Sequence, residues 1–266
     1  MESREERLDL GWDLLEQGEH QAALDAAESL LAENSKDSEA LFLAGSSCLE
    51  MGDHPGAERM IRGTLALEPE SHPALLTLAS LLYETCRFEE AADPAARVLS
   101  HDPGSAYAWY LQGLILDMMG RRAEADASFL QAASLEPSNY RIPAALDSDQ
   151  FGHAVEEALA GLPQEFLDRI ASLPILIEDV PSQDLLRTLE SPAPDLLGLF
   201  VGIPLPEKSH GDLPGPPDTV YLFKRNLERS CEDREDLIEE IRVTLLHEIG
   251  HYLGMDEADL DEAGYA

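Results

Sequence analysis

Two histidines with an acid beside the first make the stretch His247-Glu248-Ile249-Gly250-His251-Tyr252-Leu253-Gly254-Met255-Asp256-Glu257 the part of this chain that proposes a reaction. A helix turns about 100° per residue, so His251 returns to within roughly 40° of His247, one turn along the same face. Such a pair chelates a metal ion. Glu248 stands next to the first histidine, where its carboxylate can reach a water on the metal without displacing either nitrogen. Ligands that hold the ion and a base that takes the proton from its water are what a zinc hydrolase needs. Gly254 can adopt a positive φ, end the helix and turn the chain back, offering Asp256 or Glu257 as a third ligand. The full spacing reads H-E-x-x-H-x-x-G-x-x-E.

Several elements must hold these groups in place. Apolar residues at 237, 238, 241, 245 and 246 form a helical stripe that runs without interruption into the motif. Upstream, periodicity lapses over 140–150, where Pro143, Asp147 and Asp149 suggest a short connector. Residues 151–159 and 163–171 then read as helices, the second opened by proline in its first turn. Strand signals follow at 175–180, ended by Pro181, at 197–203, with Gly198 and Gly202 inside it, and at 219–223. A proline- and glycine-rich loop, 204–217, separates the last two. Two helices, a small sheet and the motif helix predict an α+β domain over 151–266.

The first half of the chain repeats itself. Pro69, Pro103 and Pro137 stand 34 residues apart, with Ser35 one period earlier. Ala23, Ala57, Ala91 and Ala125 keep that period, as do Gly11, Gly45, Ala79 and Gly113, where a small residue lets paired helices approach. Gly18, Gly52 and Gly120 recur at the turn between helices, with Cys86 in the remaining slot. These registers resemble four tetratricopeptide (TPR) repeats, which implies an all-α superhelix over 1–140. In the last three units proline closes the second helix because it cannot continue it, and the first unit lacks that proline. Pro94 falls inside the second helix of the third repeat, where a late start or a kink is expected. Arg7 stands where the fourth repeat has Trp109, in keeping with a terminal, partly capping repeat.

Arrays of this kind bind a partner peptide or helix in the groove lined by their first helices. The repeat phase puts Leu8, Phe42, Leu76 and Tyr110 in that groove, with Trp12, Leu49 and Tyr83 nearby and Glu16, Glu50 and Glu84 recurring at one further position. An apolar or basic protein segment is therefore the expected partner, and an acidic tail is not. Across the whole chain, 18 basic and 53 acidic side chains leave a formal charge of -35, which repels nucleic acid and anionic membrane surfaces. The longest nearly apolar run, 196–205, is too short to span a bilayer. The charged start and the sparse, odd set Cys48, Cys86 and Cys231 predict a cytoplasmic protein without a disulfide framework.

The order Leu162-Pro163-x-Glu165-Phe166, then Asp195-Leu196-Leu197-Gly198-Leu199-Phe200-x-Gly202, then a strand, then an acidic helix into H-E-x-x-H-x-x-G, is similar to the minimal zincin-like metallopeptidase family of bacteria. That resemblance implies a very small zincin-like fold in which His247, His251 and Glu257 bind Zn2+, with Asp256 the competitor for the third place, and Glu248 acts as catalytic base. It also implies peptide hydrolysis, with the repeats recruiting protein substrate or partner. The rival expectation is an interaction protein in which zinc only holds the small domain together. The sheet edge and loop 204–217 are the expected walls of a substrate cleft, and His210 and Tyr265 are further residues able to swing towards the metal.

Overall fold

The computed structural model describes residues 3–207 and 217–263 and divides the chain into two compact units, 1–136 and 137–266. The first unit is a run of antiparallel helix pairs: α1 (Arg4–Glu16) with α2 (His20–Glu33), α3 (Ser38–Glu50) with α4 (His54–Leu67), α5 (His72–Glu84) with α6 (Phe88–His101), and α7 (Ala106–Met118) with α8 (Arg122–Leu135). The small-residue register lets helices approach closely, Gly11 of α1 against α3 and Gly45 and Gly113 within their own pairs. A Cβ at Gly11 would lie 2.4 Å from Leu43 Cδ2, one at Gly45 2.8 Å from Ile61 Cγ1, and one at Gly113 2.6 Å from Phe129 Cε1. Gly18, Gly52 and Gly120 turn the chain at φ of 81°, 74° and 73°, and Cys86 takes the same left-handed turn at φ 58°. Helix α6 starts in register at Phe88 and runs through Pro94 to His101, so the expected late start does not occur. Of the groove positions, Phe42, Leu76, Tyr110, Trp12 and Leu49 are half-buried and Glu16, Glu50 and Glu84 exposed, whereas Leu8 and Tyr83 are buried in the packing of the helices.

In the second unit, α9 (Ser148–Ala160) begins earlier than periodicity suggests. Asp147 caps it by accepting from the Gln150 N–H while Gln150 returns a bond to the Asp147 N–H. Then come α10 (Gln164–Ile170), β1 (Ile175–Glu178), the single turn α11 (Gln183–Leu186), β2 (Gly198–Val201), a 3-10 turn (Leu205–Glu207), β3 (Thr219–Phe223), α12 (Lys224–Ser230), α13 (Arg234–Leu253) and α14 (Glu257–Ala263). The strands lie in the order β1-β3-β2, with β1 parallel and β2 antiparallel to the central β3. Leu237, Ile241, Leu245, Ile249 and Tyr252 of α13 pack with Val220 and Leu222 of β3 and with Phe151, Ala154 and Val155 of α9. Ile238, counted in the stripe, instead faces outward. A buried acid ties the connector in: Glu228 accepts from the Leu146 N–H at 3.2 Å and pairs with Lys224 at 2.6 Å. Among the described residues no helix is long and apolar enough to cross a membrane.

Candidate metal centre

Helix α13 carries the motif in its last two turns. Asp233 caps its start, accepting from the Glu235 and Asp236 N–H groups at 2.8 and 3.0 Å. Gly254, at φ 86°, ends it: the Met255 N–H reaches back to Gly250 O at 3.0 Å and the Gly254 N–H to His251 O at 3.1 Å. This paired closure reverses the chain after the last turn. Pro206 of the 3-10 turn packs on the bare Cα of Gly254, where a Cβ would lie 2.6 Å from its Cγ.

Helix α14 follows at once. Asp256 starts it, with its carboxylate accepting from the Asp259 N–H at 2.9 Å and the Asp259 carboxylate accepting from the Asp256 N–H at 3.2 Å. The helix is seated by Leu260, which is fully buried and touches the motif helix where Gly250 has no side chain: a Cβ there would lie 2.3 Å from Leu260 Cδ2. Glu257 is thereby held in the first turn of α14, beside the histidines.

The Nε2 atoms of His247 and His251 are 3.0 Å apart, with the rings nearly perpendicular at 88°. Glu257 Oε1 lies 3.6 Å from His251 Nε2, and one donor atom from each of His247, His251 and Glu257 falls within 4.8 Å of the others. Two nitrogens bound tetrahedrally at about 2.0–2.1 Å would be roughly 3.3 Å apart, so the imidazole pair fits a zinc ion with little adjustment. Two imidazoles and one carboxylate also form a donor set that zinc accepts. Burial, and then the neighbouring His247, hold His251 below the usual imidazole range, which favours the neutral, ligating form. Asp256, the competing acid, is committed to capping α14.

Glu248 is not one of the three clustered donors. It is 8% exposed, and its Oε2 accepts the Phe200 N–H at 2.6 Å. Burial pushes its carboxyl up to about 7; His247 and the Phe200 amide pull it back in part, and Glu257 adds to the rise. The sequence reading did not find the Phe200 amide or the Leu260 seat. A glycine inside a helix costs about 1 kcal/mol against alanine, so Gly250 was itself a sign that something approaches closely there. His210 and Tyr265 lie outside the described residues, as does most of loop 204–217.

Residues 170–265 match the family model described as zincin-like metallopeptidase, and residues 8–72 and 49–115 match two models of the tetratricopeptide repeat. The chain thus joins tetratricopeptide repeats to a small zincin-like α+β domain. Among solved structures it is similar to a crystal structure of MamA, with 23% identity over 48% of this chain and 74% of that chain at a TM-score of 0.46. It is also similar to MamA 41-end from Desulfovibrio magneticus RS-1, with 18% identity over 63% of this chain and 89% of that chain at a TM-score of 0.48. No curated protein matches the chain at a significant level.

Proposed function

We propose that the second unit is a zinc-dependent peptidase and that the repeats bind the protein segment it works with. The convergence of His247, His251 and Glu257, with Glu248 buried alongside and outside the donor set, carries this reading. The histidines would contribute imidazole nitrogens and Glu257 a carboxylate oxygen. Among the described residues the cluster has three donors, the number typical of catalytic zinc sites, which keep a fourth position open, whereas structural sites use four. A bound zinc ion would polarise a peptide carbonyl and acidify water. Glu248 would take the proton from the attacking water and pass it to the leaving nitrogen. The cysteines are free, in keeping with the cytoplasmic setting proposed for such an enzyme.

Casein hydrolysis by the purified full chain, with zinc content measured on the same sample, tests this. Wild type should cleave, and Glu248→Gln should keep its zinc while losing roughly 10²-fold or more in rate. Zinc-loaded wild type that cleaves no unfolded protein supports the adaptor reading instead, with the metal serving the fold alone. For the repeats we propose an apolar or basic partner segment, because exposed Glu16, Glu50 and Glu84 recur beside the half-buried Trp12, Phe42, Leu49, Leu76 and Tyr110. A basic amphipathic peptide should bind and weaken as salt is raised; tight binding of an acidic peptide contradicts this.

A further inference from the structure

We propose that Gly198 and the backbone N–H of Phe200 are positioning groups for Glu248, one by leaving space for its stem and the other by holding one of its oxygens. The purpose of this device rests on the peptidase reading; its geometry does not. Among the described residues strand β2 is an outer strand of the sheet, paired with β3 alone. The Phe223 N–H donates to Leu197 O at 2.8 Å, so odd-numbered residues here turn their backbone groups towards β3 and even-numbered ones turn theirs outward. The Phe200 N–H is therefore on the open side of the strand, where the carboxylate of Glu248 meets it at 2.6 Å.

That contact requires β2 and α13 to approach closely, and residue 198 permits it. A Cβ on Gly198 would lie 2.6 Å from Thr244 Cγ2, 2.9 Å from Glu248 Cγ and 3.2 Å from Glu248 Oε1. Carbon atoms do not pack so tightly, so any side chain there drives the strand from the helix or turns Glu248 aside. The strand is not free to retreat. The buried side chain of Asn226 donates to Pro194 O at 2.9 Å and Leu196 O at 2.6 Å, clamping the segment that leads into β2. The Phe200 ring meets Tyr252 of α13 edge-on, with centroids 5.7 Å apart. Gly198 is the first residue of β2, and a glycine in a strand often marks a place where another group comes close. With Oε2 held, Oε1 is left to exchange protons, and a misplacement of about 1 Å at such a group can cost up to roughly 10²-fold in rate.

The test uses the zinc-loaded full chain, with the Phe200 amide proton followed by NMR. In wild type this amide should resonate downfield and exchange slowly with solvent despite its place on an open strand edge. Both properties should be lost in Glu248→Ala and diminished in Gly198→Ala combined with Thr244→Ser, which removes the closer of the two clashes and leaves the one with Glu248. The combined variant should also lower kcat on casein by about 10- to 100-fold with KM and zinc content unchanged. An amide that is indifferent to Glu248→Ala overturns the proposal, as does a shifted amide with unchanged kcat. Wild type that cleaves no casein contradicts the peptidase reading separately, and the amide still decides whether Glu248 is held.

Discussion

Cys86 occupies the turn that glycine fills in the other three repeats and adopts φ 58° to do so. A side chain in that region crowds the following carbonyl, at about 1–2 kcal/mol. Cys86→Gly should therefore stabilise the repeat unit by roughly 0.5–1 kcal/mol, net of the greater freedom of glycine in the unfolded chain. The reading is a higher urea midpoint at unchanged slope; a lower midpoint contradicts it. Asp37 gives a pH-dependent counterpart. Arg4 donates to it at 2.6 Å and holds its carboxyl below the usual range. A depressed folded-state value means that the stabilisation is complete above the ordinary carboxyl pKa and lost as pH falls through the folded value. The stability difference between wild type and Arg4→Ala should hold from pH 7 to about 5 and shrink below about 4; a difference that grows on acidification contradicts the assignment. At this scale the sequence was most informative about side chains whose type is the chemistry. The approach of His247 to His251 was legible from spacing alone, whereas the Phe200 amide that bonds Glu248 is a backbone group that tertiary approach brings from strand β2.

Helix α14 matters because it delivers Glu257. Its neighbour Asp256 caps the helix, a role worth about 1 kcal/mol. Asp256→Ala should then weaken zinc by about fivefold at most, through loosening of the helix, while Glu257→Ala removes a donor and should weaken it by roughly 10²-fold or more. Chelator competition gives both values, and the reverse order would make Asp256 the ligand. Elements differed in how openly the sequence declared them. The repeat helices were plain because their small residues recur every 34 residues, and β3 was plain because Thr219-Val220-Tyr221-Leu222-Phe223 is a run of β-branched, aromatic and aliphatic side chains. Helices α12 and α14 were missed. Each has seven residues, too few to establish a period, and α12 leaves β3 with no turn signal between them. The Asp256-x-x-Asp259 pair before Leu260 was the cue available for α14.

At the scale of the whole molecule, the two units have separate cores, and on the proposed reading only the second would depend on metal. Zinc that binds only the folded second unit stabilises it by mass action, about 4 kcal/mol when free metal exceeds the dissociation constant a thousandfold. Chelation should lower one unfolding transition and leave that of the repeats in place, and His247→Ala should abolish the response. Equal shifts of both transitions, or none, contradict a metal centre confined to the second unit. The charge of -35 disfavours anionic surfaces, and on the proposed reading Glu16, Glu50 and Glu84 would favour a cationic segment.

X-ray absorption at the zinc edge of the purified full chain tests the central assignment most directly. One zinc per chain is expected, with two imidazole nitrogens and two oxygens at about 2.0–2.2 Å, one oxygen lost in Glu257→Ala and neither lost in Glu248→Gln. A sulfur neighbour near 2.3 Å, a first sphere closed by four protein ligands, or no bound zinc would contradict it.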